Sequence, residues 1–175
     1  NDINIIAKLL EFNQTIKSVS LRTLMLDNDG IKVLANSVTK HTILQSFTMK
    51  YCNNYFPDVT FVVKNLSLQK LNLKGTDLDQ ESAIGIVELV RNSESLTYLN
   101  IERCRISNDN IIKIIDGLKT NCSVQKFKMD ESSIESKVAY AVANALTYNS
   151  TVTEFAMKSG NICVDGCTEI ARMLS

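Results

Sequence analysis

The chain has 175 residues, 45% of them hydrophobic, with 19 basic and 19 acidic side chains, one histidine and a formal net charge of zero. This apolar content suits one well-buried core and excludes a disordered chain. The charge balance lacks the excess of Lys and Arg with which a protein grips a phosphate backbone, so nucleic acid is not expected as a partner.

No apolar run approaches the roughly 20 residues needed to cross a bilayer, and the first residues do not read as a basic segment followed by an apolar one. Neither a membrane nor a secretory route is expected. The five cysteines, Cys52, Cys104, Cys122, Cys163 and Cys167, are an odd set without the spacing of a disulfide framework or zinc ribbon. A reducing, cytoplasmic setting fits them.

In chain order, Ile6, Ala7 and Leu10 come first, at a spacing that shares one helix face. A nine- or ten-residue segment follows and then recurs: NQTIKSVSL (13–21), KHTILQSFTM (40–49), NLSLQKLNL (65–73), SESLTYLNI (93–101), NCSVQKFKM (121–129) and NSTVTEFAM (149–157). Each has an apolar residue followed by apolar residues three and five positions on. The first apolar positions are Ile16, Leu44, Leu68, Leu96, Val124 and Val152; the differences 44−16, 96−68, 124−96 and 152−124 are each 28, whereas 68−44 is 24.

Ten residues after the first apolar position comes another, at Leu26, Leu78, Ile106, Ile134 and Ile162. Before each following unit an apolar triplet returns at helical spacing: Leu34, Ala35 and Val38; Ile86, Val87 and Val90; Ile114, Ile115 and Leu118; Val142, Ala143 and Leu146. Each unit therefore reads as strand, turn and amphipathic helix. One strand and one helix cannot enclose a core, but stacked copies bury an apolar column between a parallel sheet and a row of helices.

LTYLNIERCRIS and LQKLNLKGTDLD resemble the L-x-x-L-x-L-x-x-N/C-x-L signature of leucine-rich repeats, and the 28-residue period with a full helix resembles the ribonuclease-inhibitor-like class. The resemblance covers essentially the whole chain. It implies an α/β solenoid, a right-handed βα superhelix with a curved parallel sheet on the concave face and helices on the convex face. One domain, 1–175, is expected to hold about six repeats with strands starting near 16, 44, 68, 96, 124 and 152.

Two departures are visible. The Asn/Cys position holds Leu24, Cys52, Thr76, Cys104, Ser132 and Gly160, so a weak hydrogen-bonding ladder is expected there. The second repeat is short and carries the only proline, Pro57, which predicts a truncated helix. Ile170, Ala171 and Leu174 repeat the helix triplet at the far end, and neither end reads as a polar cap, so a longer array is expected.

Catalytic chemistry finds little support. His41 sits in the turn before the second strand, where other units have Asn or Ser, and reads as a turn residue with no triad around it. Cys163 and Cys167 are four apart, but the family's Asn/Cys position explains Cys52 and Cys104 as small buried groups. Asp77, Asp79 and Glu81 read as carboxylates before a helix rather than a cation site, as does DNDG at 27–30. No metal, cofactor or small-molecule substrate is expected. The N-x-S/T matches at Asn13, Asn65, Asn121 and Asn149 share one repeat position, so the period accounts for them without glycosylation.

Strand alternation leaves three ladders for the concave face. They are Ser18, Ser46, Lys70, Tyr98, Lys126, Glu154; Ser20, Thr48, Asn72, Asn100, Lys128, Ala156; and Arg22, Lys50, Lys74, Glu102, Asp130, Lys158. Seven basic and three acidic residues among these eighteen predict a mildly positive face. Lys50, Lys70, Asn72, Lys74, Tyr98, Asn100, Lys126 and Lys128 are the candidate contacts for a protein partner carrying an acidic patch. The function expected is non-enzymatic protein recognition or scaffolding within a larger intracellular protein. The alternatives are a GTPase-activating protein of the leucine-rich-repeat type, for which Arg22 or Arg103 would be arbitrary choices, and an architectural subunit.

Overall fold

The computed structural model describes residues 2–24, 28–52, 67–78, 80–131, 135–159, 168, 171 and 172. Within these the chain runs α1 (Asp2–Phe12), β1 (Ser18–Arg22), α2 (Asn28–Lys40), β2 (Ser46–Lys50), β3 (Lys70–Asn72), α3 (Gln80–Asn92), β4 (Tyr98–Glu102), α4 (Asn108–Leu118), β5 (Lys126–Glu131), α5 (Ser136–Tyr148) and β6 (Glu154–Ser159). The six strands form one sheet in sequence order, each parallel to the next. Parallel strands in sequence order, with a helix between β1 and β2 and between each successive pair from β3 to β6, make an α/β solenoid, with the sheet on the concave side.

The strands pair from two residues beyond the first apolar position of each unit. Those first positions still enter the core: Leu44, Leu68, Leu96 and Val124 are fully buried. Register then stacks like on like. Val19, Phe47, Leu71, Leu99, Phe127 and Phe155 lie opposite one another in turn across the sheet. The helix triplets close this column from the other side, with Leu34, Val38, Ile86, Val90, Ile114, Ile115, Leu118 and Val142 all buried. Of the residues ten positions into each unit, Leu78 and Ile106 are buried, whereas Leu26, Ile134 and Ile162 lie outside the described residues.

Just past the strands the backbone turns left-handed. Thr23, Tyr51, Gly75 and Arg103, each seven residues after its unit's first apolar position, have φ of 51°, 53°, 70° and 56°. Their N–H groups continue the sheet ladder, donating to the carbonyls of Lys50, Lys74, Glu102 and Asp130. Glycine is needed at only one of the four. A Cβ on Gly75 would lie 2.5 Å from Cδ1 and 2.8 Å from Cε1 of Tyr51, whose ring lies across that turn.

The Asn/Cys position corrects the expectation of a weak ladder. Thr76 Oγ1 donates to Met49 O at 3.2 Å and Cys104 Sγ to Leu73 O at 3.1 Å, each reaching back one repeat. Cys52 is buried, its thiol donating to Lys50 O at 3.6 Å, and burial pushes its pKa up. Ser132, Gly160, Pro57, Cys163, Cys167, Asp27, Asp79, Ile170 and Leu174 lie outside the described residues.

A second ladder runs through the turns before the strands. Asn121 Oδ1 accepts from Ser123 N and Val124 N at 3.0 and 2.7 Å, while its Nδ2 donates to Val90 O and Ser93 O of the preceding repeat at 2.8 and 3.1 Å. Asn149 does the same with Thr151 N and Val152 N and with Leu118 O and Asn121 O. Asn13 closes its own turn through Thr15 N and Ile16 N. The hydroxyls two residues on, at Ser67, Ser95 and Ser123, donate to carbonyls of the repeat before. The N-x-S/T recurrence is thus a turn-and-stacking device. Asn65 lies outside the described residues.

Candidate protein-interaction surface

The concave face is lined by the side chains that alternation points away from the core. Ser18, Ser20, Arg22 and Lys70 are exposed, and Ser46, Thr48, Lys50, Asn72, Lys74 and Tyr98 are half-buried. β4 departs from the pattern. Asn100 and Glu102 belong to the concave ladders yet are buried beneath their neighbours.

A polar network explains that burial. Asn100 Oδ1 accepts from Glu102 N at 2.9 Å, and its Nδ2 donates to Glu102 Oε2 at 2.9 Å and to Tyr98 Oη at 3.1 Å. Lys74 Nζ donates to Glu102 Oε2 at 3.1 Å, and Lys158 Nζ lies 3.7 Å from Oε1. The Glu102 side chain is 7% exposed. Burial pushes its carboxyl up, but the Asn100 amide and the Lys74 and Lys158 ammonium groups outweigh that and hold it below its ordinary 4.5.

The sign of the linkage follows. A depressed carboxyl pKa gives stability that is present above the unfolded value and lost as pH falls through the folded one. Glu154, held at about 2 by hydrogen bonds from Lys128 and Lys126, acts in the same direction. Urea midpoints measured from pH 7 to pH 2.5 should therefore fall below about 4.5. Glu102→Gln should lower the pH 7 midpoint and flatten the acid slope. An unchanged slope would mean that Glu102 carries no charge-dependent part of the fold.

The network also divides the face by charge. In the C-terminal half, Lys126 and Lys128 both pair with Glu154 at 2.9 and 2.6 Å, and Arg103 pairs with Asp130 at 3.8 Å. Donating its hydrogen bond to Glu154 raises the Lys128 pKa. In the N-terminal half Lys74 goes to Glu102, whereas Arg22, Lys50 and Lys70 have no ion pair among the described residues. Arg22 and Lys50 are register partners, and no carboxylate side chain lies among the residues of β1 to β3. The mildly positive face expected from the count is therefore an uneven one.

The candidate contacts fall accordingly. Lys70, Asn72, Tyr98 and Lys126, with Ser46, Thr48, Thr97 and Gln125, line one open trough of about 480 Å³. Lys50 stands in the Arg22 ladder, and Lys74, Asn100 and Lys128 are held in the network or by Glu154. Tyr51, on the rim beside Lys50, is 43% exposed and was not among the candidates. Its strand-end position had no signal in the period, because the side chain shows only once the turn is left-handed.

Elsewhere, Asp77 pairs with Arg105 at 3.4 Å and Asp29 lies 4.0 Å from Lys32. His41 is buried, with Nε2 2.8 Å from Asn13 O, in the place of the ladder asparagines. No described helix is long and apolar enough to cross a membrane.

The fold and this face define a parallel-sheet α/β repeat solenoid. Its structure is similar to that of the tropomodulin C-terminal domain of Caenorhabditis elegans, with a TM-score of 0.61 and 15% identity over 99% of this chain and 92% of that one. It is also similar to actin-binding site 2 of leiomodin-1, with a TM-score of 0.59 and 14% identity over 99% of this chain and 86% of that one. No family model and no curated protein sequence matches the chain. At these identities the likeness is one of fold.

Proposed function

We propose that this chain is a non-enzymatic protein-recognition module of a cytoplasmic protein, which seats an acidic surface of a partner on the N-terminal half of its concave sheet. The observation that carries the reading is the division of charge. Among the described residues Arg22, Lys50 and Lys70 have no carboxylate ion-pair partner, whereas Lys126 and Lys128 pair with Glu154. Like charges in register are unfavourable without a counter-charge, and a partner's carboxylates supply one. Tyr98 in the trough adds aromatic area next to Lys70, the combination that anchors interfaces. The period of 28 favours the ribonuclease-inhibitor-like class of leucine-rich repeat, with 1–175 as one domain of about six repeats.

Actin is the first partner to assay, because leiomodin-1 carries an actin-binding site on the same fold. The test compares two double variants against actin and against proteins captured with the wild-type chain from its own cells. Lys50→Glu/Lys70→Glu should weaken a genuine partner by about 10-fold or more, while Lys126→Ala/Lys128→Ala should change affinity by less than about threefold. Binding should also weaken with salt. Equal effects of the two variants would remove the charge argument, and no effect of either would move recognition off the concave face.

A further inference from the structure

Tyr98 lines the concave trough, and the network beneath it fixes what its hydroxyl can do. The Asn100 amide is oriented by the backbone, because its Oδ1 accepts from Glu102 N at 2.9 Å. Both hydrogens of its Nδ2 are then spent, one on Glu102 Oε2 at 2.9 Å and one on Tyr98 Oη at 3.1 Å. An amide nitrogen only donates, so Tyr98 Oη is the acceptor in that bond and its own hydrogen points away from Asn100. The described residues give that hydrogen no acceptor. Glu102 is already engaged, its Oε2 with Lys74 Nζ and Asn100 Nδ2 and its Oε1 facing Lys158 Nζ.

The ladder brings a cation beside this donor. Lys70 is the register partner of Tyr98 on the neighbouring strand, about 4.8 Å away in the pairing direction. It is exposed and has no ion pair among the described residues. On the other side of Tyr98, Lys126 is held by Glu154 at 2.9 Å. Lys70, Tyr98 and Lys126 line the trough of about 480 Å³ together with hydroxyl and amide side chains, and no carboxylate is among its lining residues. The trough thus presents an ammonium group and an O–H donor on adjacent strands to a ligand that must bring the acceptors.

We propose that the trough is a subsite for one aspartate or glutamate side chain of a protein partner, with one carboxylate oxygen on Lys70 Nζ and the other accepting from the Tyr98 hydroxyl. This rests on the concave face as the partner surface argued above, and names the group that enters it. A carboxylate has two oxygens that only accept and carries a single charge, which matches one cation beside a neutral donor. A phosphate, with close to two negative charges, would leave one of them unmatched. Tyr98 then selects through its hydroxyl as well as through the area of its ring.

The test titrates hexaglutamate and hexaglutamine peptides into the 175-residue chain, following the amide NMR shifts of β3 and β4. Both peptides are N-acetylated and C-amidated, so that no terminal carboxylate takes part. Hexaglutamate should bind and hexaglutamine should not. Tyr98→Phe should weaken hexaglutamate at least about fivefold and leave the salt dependence as it is, because the lost donor is uncharged. Lys70→Gln should weaken it and flatten the salt dependence, and Lys70→Arg should retain binding. A changed salt slope in Tyr98→Phe would show that the ring only positions the lysines, and would overturn the assignment. Unchanged affinity in Tyr98→Phe, with binding still lost in Lys50→Glu/Lys70→Glu, would also overturn it while leaving the charge reading in place. No binding of hexaglutamate, or binding that the double charge reversal leaves untouched, would remove both. Inorganic phosphate displacing hexaglutamate at lower concentration than acetate does, at matched ionic strength, would make the trough a phosphate site instead.

Discussion

Asn121→Ala is expected to destabilise the chain by about 3 kcal/mol, although the residue touches neither the apolar column nor the concave face. Its side chain is buried and joins two repeats. Removing it strips the acceptor from Ser123 N and Val124 N and the donor from Val90 O and Ser93 O, in a turn that leads into the fully buried Val124. Each lost hydrogen bond is worth about 1 kcal/mol, and polar groups left buried without a partner cost more. For a chain of this size the melting temperature should fall by roughly 6–12 °C.

The array itself supplies the control. Ser93 stands where Asn121 does, and its Oγ accepts from Ser95 N and Leu96 N, so it performs the turn half of the task. His41 reaches Asn13 O through Nε2 and performs the stacking half. Asn121→Ser should accordingly keep the turn, lose the backward donation and cost about half as much as alanine. Equal losses for serine and alanine would mean that the turn bonds contribute nothing. A loss below about 1 kcal/mol for alanine would mean that neither half matters.

The period made the fold legible because burial in a solenoid repeats with position. Leu44, Leu68, Leu96 and Val124 are equivalent in sequence and equally buried, so counting from one to the next locates core and surface together. The N-x-S/T recurrence was visible in the same way, but its purpose was not. Whether an amide reaches the carbonyl 28 or 31 residues earlier depends on a rotamer and on how closely two repeats approach.

The concave face was less legible for a related reason. Alternation named its eighteen positions, but charge there is decided between ladders as well as along them. Glu154 takes both Lys126 and Lys128, which stand in two different ladders, and Lys158 reaches across β5 toward Glu102. Counting cations could not show that three of them, Arg22, Lys50 and Lys70, would be left without an ion pair among the described residues.

Phe127→Ala should carry the largest cost of any single substitution considered, about 4 kcal/mol. Phe127, the second residue of β5, is fully buried between Leu99 and Phe155 in the inner column, and its ring stacks on Phe155 with centroids 5.5 Å apart and planes 26° apart. Truncation removes the transfer free energy of the ring and leaves a cavity that the flanking strands, fixed by the parallel ladder, can fill only in part. Phe155→Ala should cost less, because Phe155 is half-buried. Phe127→Leu should cost less again, about 1–2 kcal/mol, since Leu71 and Leu99 already fill the same column position in β3 and β4. Because stability in a stacked array is largely a sum over neighbouring repeats, the damage should also be local. Hydrogen exchange should rise first in β5, β6 and α5 while β1 and β2 hold their protection. A uniform rise along the whole chain would show instead that the six strands unfold as one cooperative unit.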